Sequence, residues 1–225
     1  MIKRIIFDVD NTLLDTYKDC INAYAEFLKD YPNIKPKMFY DVIGEFELKG
    51  IGFDKDELSK YISDRLKILF SKEDLNRCLD IYAGYSTLLN DDTSDVLEYL
   101  SKKYTLVVLT NWYTDAQKGR LRYHGLDKYF KKIYGCEYGI KPNKEFFDLA
   151  RENDNYDECV MIGDSLTSDI NPAKALGMKT IYISKDNGLP IRCSVQSSDL
   201  YNEMREFSFE FDKLTEKDIL ELVDF

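Results

Sequence analysis

Histidine is almost missing from this chain: His124 is the only one in 225 residues. No metal centre that needs several imidazoles can form, and phosphohistidine chemistry has one poor candidate, beside a predicted helix terminus where a structural role suffices. Cysteine is thinly spread as well. Cys20, Cys78, Cys136, Cys159 and Cys193 are odd in number and show no short ligand spacing. Neither a disulfide framework nor a zinc-binding pattern is expected, and a reduced, cytoplasmic protein is. No apolar run approaches the length that crosses a bilayer, and Asp8 arrives too early for the apolar region of a signal peptide. Basic charge is in deficit: 31 lysines and arginines face 41 acidic residues, a formal net charge of -10. That balance argues against a nucleic-acid polymer or an anionic membrane as partner. Small anionic substrates stay open, because a local cation and oriented main-chain N–H groups outweigh a screened global field at short range.

What the chain does have is an apolar strand, Ile5-Ile6-Phe7, that runs directly into Asp8-Val9-Asp10-Asn11-Thr12. Side chains alternate along an extended strand, so Asp8 and Asp10 emerge on one side and Val9 on the other. Two like charges in one small volume are costly unless a cation neutralises them or one holds a proton. Behind Thr12 the pattern becomes helical, with Tyr17, Ile21, Tyr24, Ala25 and Leu28 on one expected face before Tyr31-Pro32. Amphipathic stretches at Met38 to Leu48, Asp56 to Phe70 and Glu73 to Tyr85 follow, separated by Pro36, Gly50 and Gly52. Residues 15–88 are therefore expected to form an inserted helical unit, with residues 1–14 and 89–225 making the rest.

In that rest, helices alternate with short apolar strands. Helices are expected at Ser94 to Lys103 and Asp115 to Tyr123, the second closed by His124-Gly125. Strands are expected at Leu106 to Leu109, Ile133-Tyr134, Val160 to Ile162, Thr180 to Ile183 and Phe207 to Phe211. The rhythm is that of an α/β fold with a parallel sheet covered on both faces. Ligands of such sheets collect at the carboxyl ends of the strands. The unusual residues lie there: Asp8 and Asp10 after the first strand, Thr110-Asn111 after the second, and Gly163-Asp164-Ser165 after the one at Val160, with Lys141-Pro142 in the connection before it.

Each group has a chemical use and a plain alternative. Asp8 and Asp10 offer a nucleophile and an acid/base partner for phosphoryl transfer through an aspartyl phosphate, where the alternative is a solvated acidic turn. Asn11 suits a sharp left-handed turn after Asp10. Thr110 and Asn111 are a candidate phosphate cradle, although such residues are also ordinary loop caps. Lys141, given an extended backbone by Pro142, can neutralise charge between carboxylate and phosphate or can be a surface lysine. Asp164 is placed as a hard oxygen ligand for Mg2+, and Asp169 can cap the helix that follows. Trp112 and Tyr113 are expected to pack a loop rather than touch substrate.

Taken in this order, the four motifs resemble those of the haloacid dehalogenase-like hydrolase superfamily across nearly the whole chain. The resemblance implies a Rossmann-like core with a small helical cap, a phosphatase activity and a Mg2+ cofactor. It implies Asp8 as the nucleophile and Asp10 as acid and then base, with Asp8, Asp164 and the main-chain carbonyl of Asp10 on the metal. Thr110, Asn111 and Lys141 would hold the phosphoryl group, and Thr12 and Asp169 would support the site. Asn11 stands where glycine is frequent in the family, a change the turn tolerates. Asp10 itself points to phosphate chemistry, since displacement of halide needs no acid. The expected partner is a small phosphorylated metabolite, a nucleoside monophosphate or a sugar phosphate, with monomer and homodimer both open. The alternatives are a phosphomutase of the same superfamily and a non-catalytic binding or regulatory module. Asp15, Tyr17, Tyr24, Phe46 and Lys49 are candidate contacts from the cap, and periodicity does not say which of them face the site.

Overall fold

The computed structural model describes residues 1–91 and 93–184, together with the main chain of 192–195. The chain begins with β1 (Arg4–Phe7) and enters four helices, α1 (Thr16–Phe27), α2 (Pro36–Glu47), α3 (Lys55–Leu66) and α4 (Lys72–Tyr82). It continues through α5 (Thr93–Ser101), β2 (Thr105–Leu109), α6 (Thr114–Tyr123), β3 (Lys132–Tyr134), α7 (Lys144–Arg151), β4 (Cys159–Gly163), α8 (Asn171–Ala175), β5 (Lys179–Ser184) and β6 (Arg192–Val195). The strand expected at Phe207 to Phe211 lies outside the described residues, as does the side chain of Cys193. No helix among the described residues is long and apolar enough to cross a membrane.

The sheet is ordered β3-β2-β1-β4-β5-β6. Its first five strands are parallel and β6 pairs antiparallel with β5, a short edge strand that the sequence pattern did not announce. Alternation along each strand divides the core into two layers. Ile5, Phe7, Val108, Val160 and Ile162 meet Val96, Leu97 and Leu100 of α5 and Leu121 of α6 on one face. Ile6, Val107, Leu109 and Met161 meet Phe146, Phe147 and Ala150 of α7 and Ala173 of α8 on the other. Because β1 lies between β2 and β4, the chain order reverses at β1, and the crevice above it is where an open α/β sheet holds its ligand.

The four helices after β1 have a core of their own. Ala23 and Phe27 of α1, Phe39 and Phe46 of α2, Leu58 and Ile62 of α3, and Leu75 and Leu79 of α4 are buried together, extended by Tyr113 and Ala116 at the start of α6. Each such large apolar side chain contributes about 1.5–3 kcal/mol on burial. Local signals start the helices: Asp54 accepts from the N–H groups of Asp56 and Glu57, Ser71 and Asp74 form a reciprocal capping box, and Pro36 stands in the first turn of α2. The helix expected to run to Phe70 stops at Leu66, where Lys67 turns left-handed at φ 55°. The buried face of α1 is also rotated from the expected one: Asp19, Cys20, Ala23, Tyr24 and Phe27 face inward while Tyr17 is exposed. The cause is Asp19, a carboxylate drawn inward by an ion pair with Arg120.

The two connections between this helical group and the sheet lie side by side. Leu14 and Leu88 form an antiparallel bridge, flanked by hydrogen bonds from Asp15 N to Thr87 O (2.8 Å) and from Leu89 N to Leu13 O (3.1 Å). Gly119 of α6 abuts Ala83 beyond the end of α4 so closely that a Cβ there would collide with it.

Candidate active site

Asp8 follows β1 directly and its N–H donates to Ile162 O of β4 at 2.8 Å, so the sheet itself fixes its main chain. Asn11 is left-handed at φ 55°, which turns the chain sharply after Asp10. Lys141 comes from the loop after β3 and is 4 % exposed. Its Nζ lies 2.9 Å from Asp8 Oδ1 and 2.6 Å from Asp169 Oδ1. The Asn111 amide fastens that loop at its main chain, accepting from Lys141 N at 2.8 Å and donating to Lys141 O at 3.2 Å. The peptide bond from Lys141 to Pro142 is cis.

Asp164 and Asp169 come from the turn after β4. Asp169 is fully buried, and its second oxygen accepts from Ser165 N at 3.0 Å. Ser165, not Asp169, caps the following turn, by accepting from Ser168 N. Gly163 is required by space: a Cβ there would run into the Asp169 carboxylate. One carboxylate oxygen each from Asp8, Asp164 and Asp169 lie within 4.8 Å of one another.

Burial, opposed by the Lys141 charge, pushes the Asp8 carboxyl well above the usual carboxylate range. Burial and then the charge of Asp169 push Asp164 up to about 7. Lys141 stays charged despite burial, because Asp169 and Asp8 raise its pKa. The three acidic groups of this cluster, Asp8, Asp164 and Asp169, have one buried cation among them, Lys141, because Arg120 is shared by Asp10 and Asp19. The surplus is that of a divalent cation, and the donors are all hard oxygens, so the residues fit Mg2+ or a similar ion.

Asp10 is held by a set of donors of its own. Its Oδ1 accepts from Thr16 Oγ1 (2.6 Å) and Arg120 Nη1 (2.7 Å), and its Oδ2 from Gln117 Nε2 (2.5 Å). Arg120 is fully buried and also binds Asp19 Oδ2 at 2.7 Å and Tyr85 O at 3.2 Å. Arg120, Gln117, Thr16 and Asp19 are residues that sequence reasoning missed. Their one signal was Gln117 and Arg120 three apart on the side of α6 that carries buried Ala116 and Leu121.

The remaining expected residues fall as follows. Thr110 is fully buried, and its Oγ1 accepts from Gln117 Nε2 (3.1 Å) and Trp112 N (3.3 Å), so its side chain stands behind the crevice wall rather than in it. Thr12 is buried in the turn and is not part of the wall. A cavity of about 260 Å³ opens above Asp8, floored by Asp8, Asp10, Asn111, Lys141, Asp164 and Asp169 and roofed by Tyr24, Tyr40, Glu47 and Tyr82 from α1, α2 and α4. Of the candidates from the helical group, Tyr24 lines this cavity; Asp15 caps α1, Tyr17 packs edge-on against Tyr40, and Lys49 lies over the rings of Phe46 and Tyr61. Trp112 lines the cavity as well, whereas Tyr113 donates to Phe53 O at 2.8 Å and packs. His124 bonds the Ser86 carbonyl through Nε2, a structural contact.

Comparison with known proteins bears on the whole chain. A family model described as haloacid dehalogenase-like hydrolase matches residues 5–183. YfnB of Bacillus subtilis, named as a HAD-hydrolase, is 34% identical across 82% of this chain and 85% of its own. Its solved structure, bound to magnesium, superposes with a TM-score of 0.73 and 26% identity over 91% of this chain and 99% of that one. The N-acylneuraminate-9-phosphatase of Rattus norvegicus is 31% identical across 86% of this chain and 87% of its own, and the pyrimidine 5′-nucleotidase PynA of Streptococcus pneumoniae 29% identical across 80% and 83%.

Proposed function

The chain belongs to the haloacid dehalogenase-like hydrolase family as a hydrolase of phosphate monoesters, and we propose that it is a magnesium-dependent phosphatase that passes the phosphoryl group of a small soluble ester to Asp8 and then to water. The observation that carries this reading is the Lys141 ammonium held between Asp8 and Asp169 above β1. A buried carboxylate so paired is ready to attack a phosphate without being repelled from it.

In the first step Asp8 attacks phosphorus, the ester bond breaks, and Asp10 gives its proton to the departing alkoxide. In the second, Asp10 takes a proton from water as that water attacks the aspartyl phosphate, releasing inorganic phosphate and restoring Asp8. Lys141 balances the phosphoryl oxygens throughout, and the Asn111 clamp keeps its loop in place. Asp8, Asp164 and the main-chain carbonyl of Asp10, with Asp169 in support, would hold magnesium, which would supply charge neutralisation for the phosphate. Residues 15–88 act as a cap that closes over the site and excludes bulk water. Relatives named for a nucleotide, a triose phosphate and a sugar acid phosphate support the phosphomonoester class.

Phosphate release from p-nitrophenyl phosphate, with magnesium or with chelator, tests the reading in the wild type and in Asp8→Asn. Magnesium-dependent release that disappears in the variant is expected. Equal release by both proteins would sink the assignment of Asp8.

A further inference from the structure

Resting on the phosphatase reading, we infer that the leaving group of the substrate is electrically neutral, with a hydrogen-bond donor to meet Glu47 and a face to lie against Trp112. Charge in the cavity is the first observation. Lys141 is its single basic lining residue among the described residues, and both Asp8 and Asp169 already hold that ammonium. The helical roof adds no cation. Its one charged side chain in the cavity is Glu47, at the end of α2, which also lines the adjoining cleft beneath the loop at Gly50 and Gly52. Lys49, the basic residue nearest in sequence, is turned onto the ring of Tyr61, 3.7 Å from its centroid.

A substrate delivers its phosphate to the Lys141 end, so its alcohol part reaches the roof. A carboxylate or second phosphate on that part would meet no countercharge among the described residues and would face the Glu47 carboxylate. A hydroxyl or an N–H would find an acceptor in Glu47 instead. The second observation is Trp112. It lines the cavity, its ring is wedged edge-on against Phe53 (5.0 Å), Tyr113 (5.1 Å) and Tyr82 (6.4 Å), and its Nε1 is buried without a partner among the described residues. A fixed indole gives the cavity a rigid aromatic wall for the alcohol part of the substrate. With Tyr24, Tyr40 and Tyr82 around it, the roof suits the faces of a sugar or a nucleoside.

Two pairs of substrates isolate the charge: glycerol phosphate against 3-phosphoglycerate, and a nucleoside 5′-monophosphate against its 3′,5′-bisphosphate. The member of each pair whose alcohol part is uncharged is expected to have the higher kcat/KM, by at least about tenfold. Glu47→Lys should narrow that ratio at least about tenfold, and Trp112→Phe should raise KM for the nucleotide more than it lowers kcat. Equal kcat/KM within both pairs, or a ratio untouched by Glu47→Lys, overturns the inference while p-nitrophenyl phosphate turnover leaves the phosphatase reading standing. No turnover of any compound, p-nitrophenyl phosphate included, overturns both.

Discussion

Arg120 and Asp10 lie 110 residues apart in sequence and 2.7 Å apart in the fold, Nη1 to Oδ1. The same guanidinium holds Asp19 of α1 and the carbonyl of Tyr85 after α4, so one side chain of α6 ties Asp10 to both ends of the helical group. Seating of that group and orientation of Asp10 are therefore one event in this structure, not two.

Replacing Arg120 tests that linkage. Arg120→Met leaves Asp10 and Asp19 without their buried cation and should cost about 3–5 kcal/mol in urea unfolding. Arg120→Lys keeps the charge but cannot reach both carboxylates with a fork, and should lower kcat by about 10–100-fold with a smaller change in KM. A cycle of Arg120→Met with Asp19→Asn should be far from additive, because Asp19→Asn removes one of the orphaned charges. Additive losses would mean that the two residues do not share their energy.

Gly163 gives a sharper geometric test. A methyl group there would collide with Asp169, whose oxygens hold Lys141 and the Ser165 N–H. Gly163→Ala should thus displace Lys141 from Asp8 and cost about 100-fold in kcat. Magnesium affinity measured by calorimetry should fall as well. Wild-type kcat in Gly163→Ala would show that Asp169 has room to move.

How much of this was readable beforehand depends on how local the signal is. Asp8, Asp10, Asn111, Lys141 and Asp164 each announce themselves at a strand end or in a loop, and the cavity wall contains all five. Thr110 carried the same local signal, yet its hydroxyl is turned into the hydrogen bonds of Gln117 and Trp112. Asp19 was illegible, and Arg120 carried only a faint signal beside Gln117, for a physical reason: a charged residue on a helix reads as solvated, and only the partner across the fold makes its burial tolerable. The same misreading rotated α1, because Asp19 masked the inward face that Cys20, Ala23 and Phe27 form. Strand β6 escaped because Arg192 to Val195 lacks an apolar run, being a short edge strand rather than a central one.

Asp164 predicts the pH dependence of the metal-free protein. Its folded pKa is raised to about 7 against an ordinary 3.8, by burial first and by Asp169 second, and Asp8 is raised in the same direction. Between about pH 4 and 7 the folded state then binds more protons than the unfolded one, so stability in chelator should fall as pH rises through that window. Asp164→Asn removes part of this effect: in chelator its Tm should exceed that of the wild type at pH 7.5 by a few degrees and its pH profile should be flatter. Magnesium should reverse the order, raising the wild-type Tm by mass action and the variant's by much less. A variant less stable than wild type in chelator at pH 7.5 would contradict the charge argument.

Asp10→Asn separates the two steps of the reaction, because they ask for opposite proton movements. An alkoxide is a poor leaving group and needs the Asp10 proton; p-nitrophenolate departs without help. Attack of water on the aspartyl phosphate needs a base whichever alcohol left. Asp10→Asn should therefore release about one equivalent of p-nitrophenol per enzyme in a burst and then turn over slowly, with phosphate retained on Asp8. With an alkyl phosphate there should be no burst, and kcat should fall by about 100–10,000-fold. Acid quench and mass measurement of the phosphorylated chain would check where the phosphate sits. Identical loss with aryl and alkyl substrates, and no burst with either, would mean that Asp10 positions the substrate through Thr16, Gln117 and Arg120 rather than moving its proton.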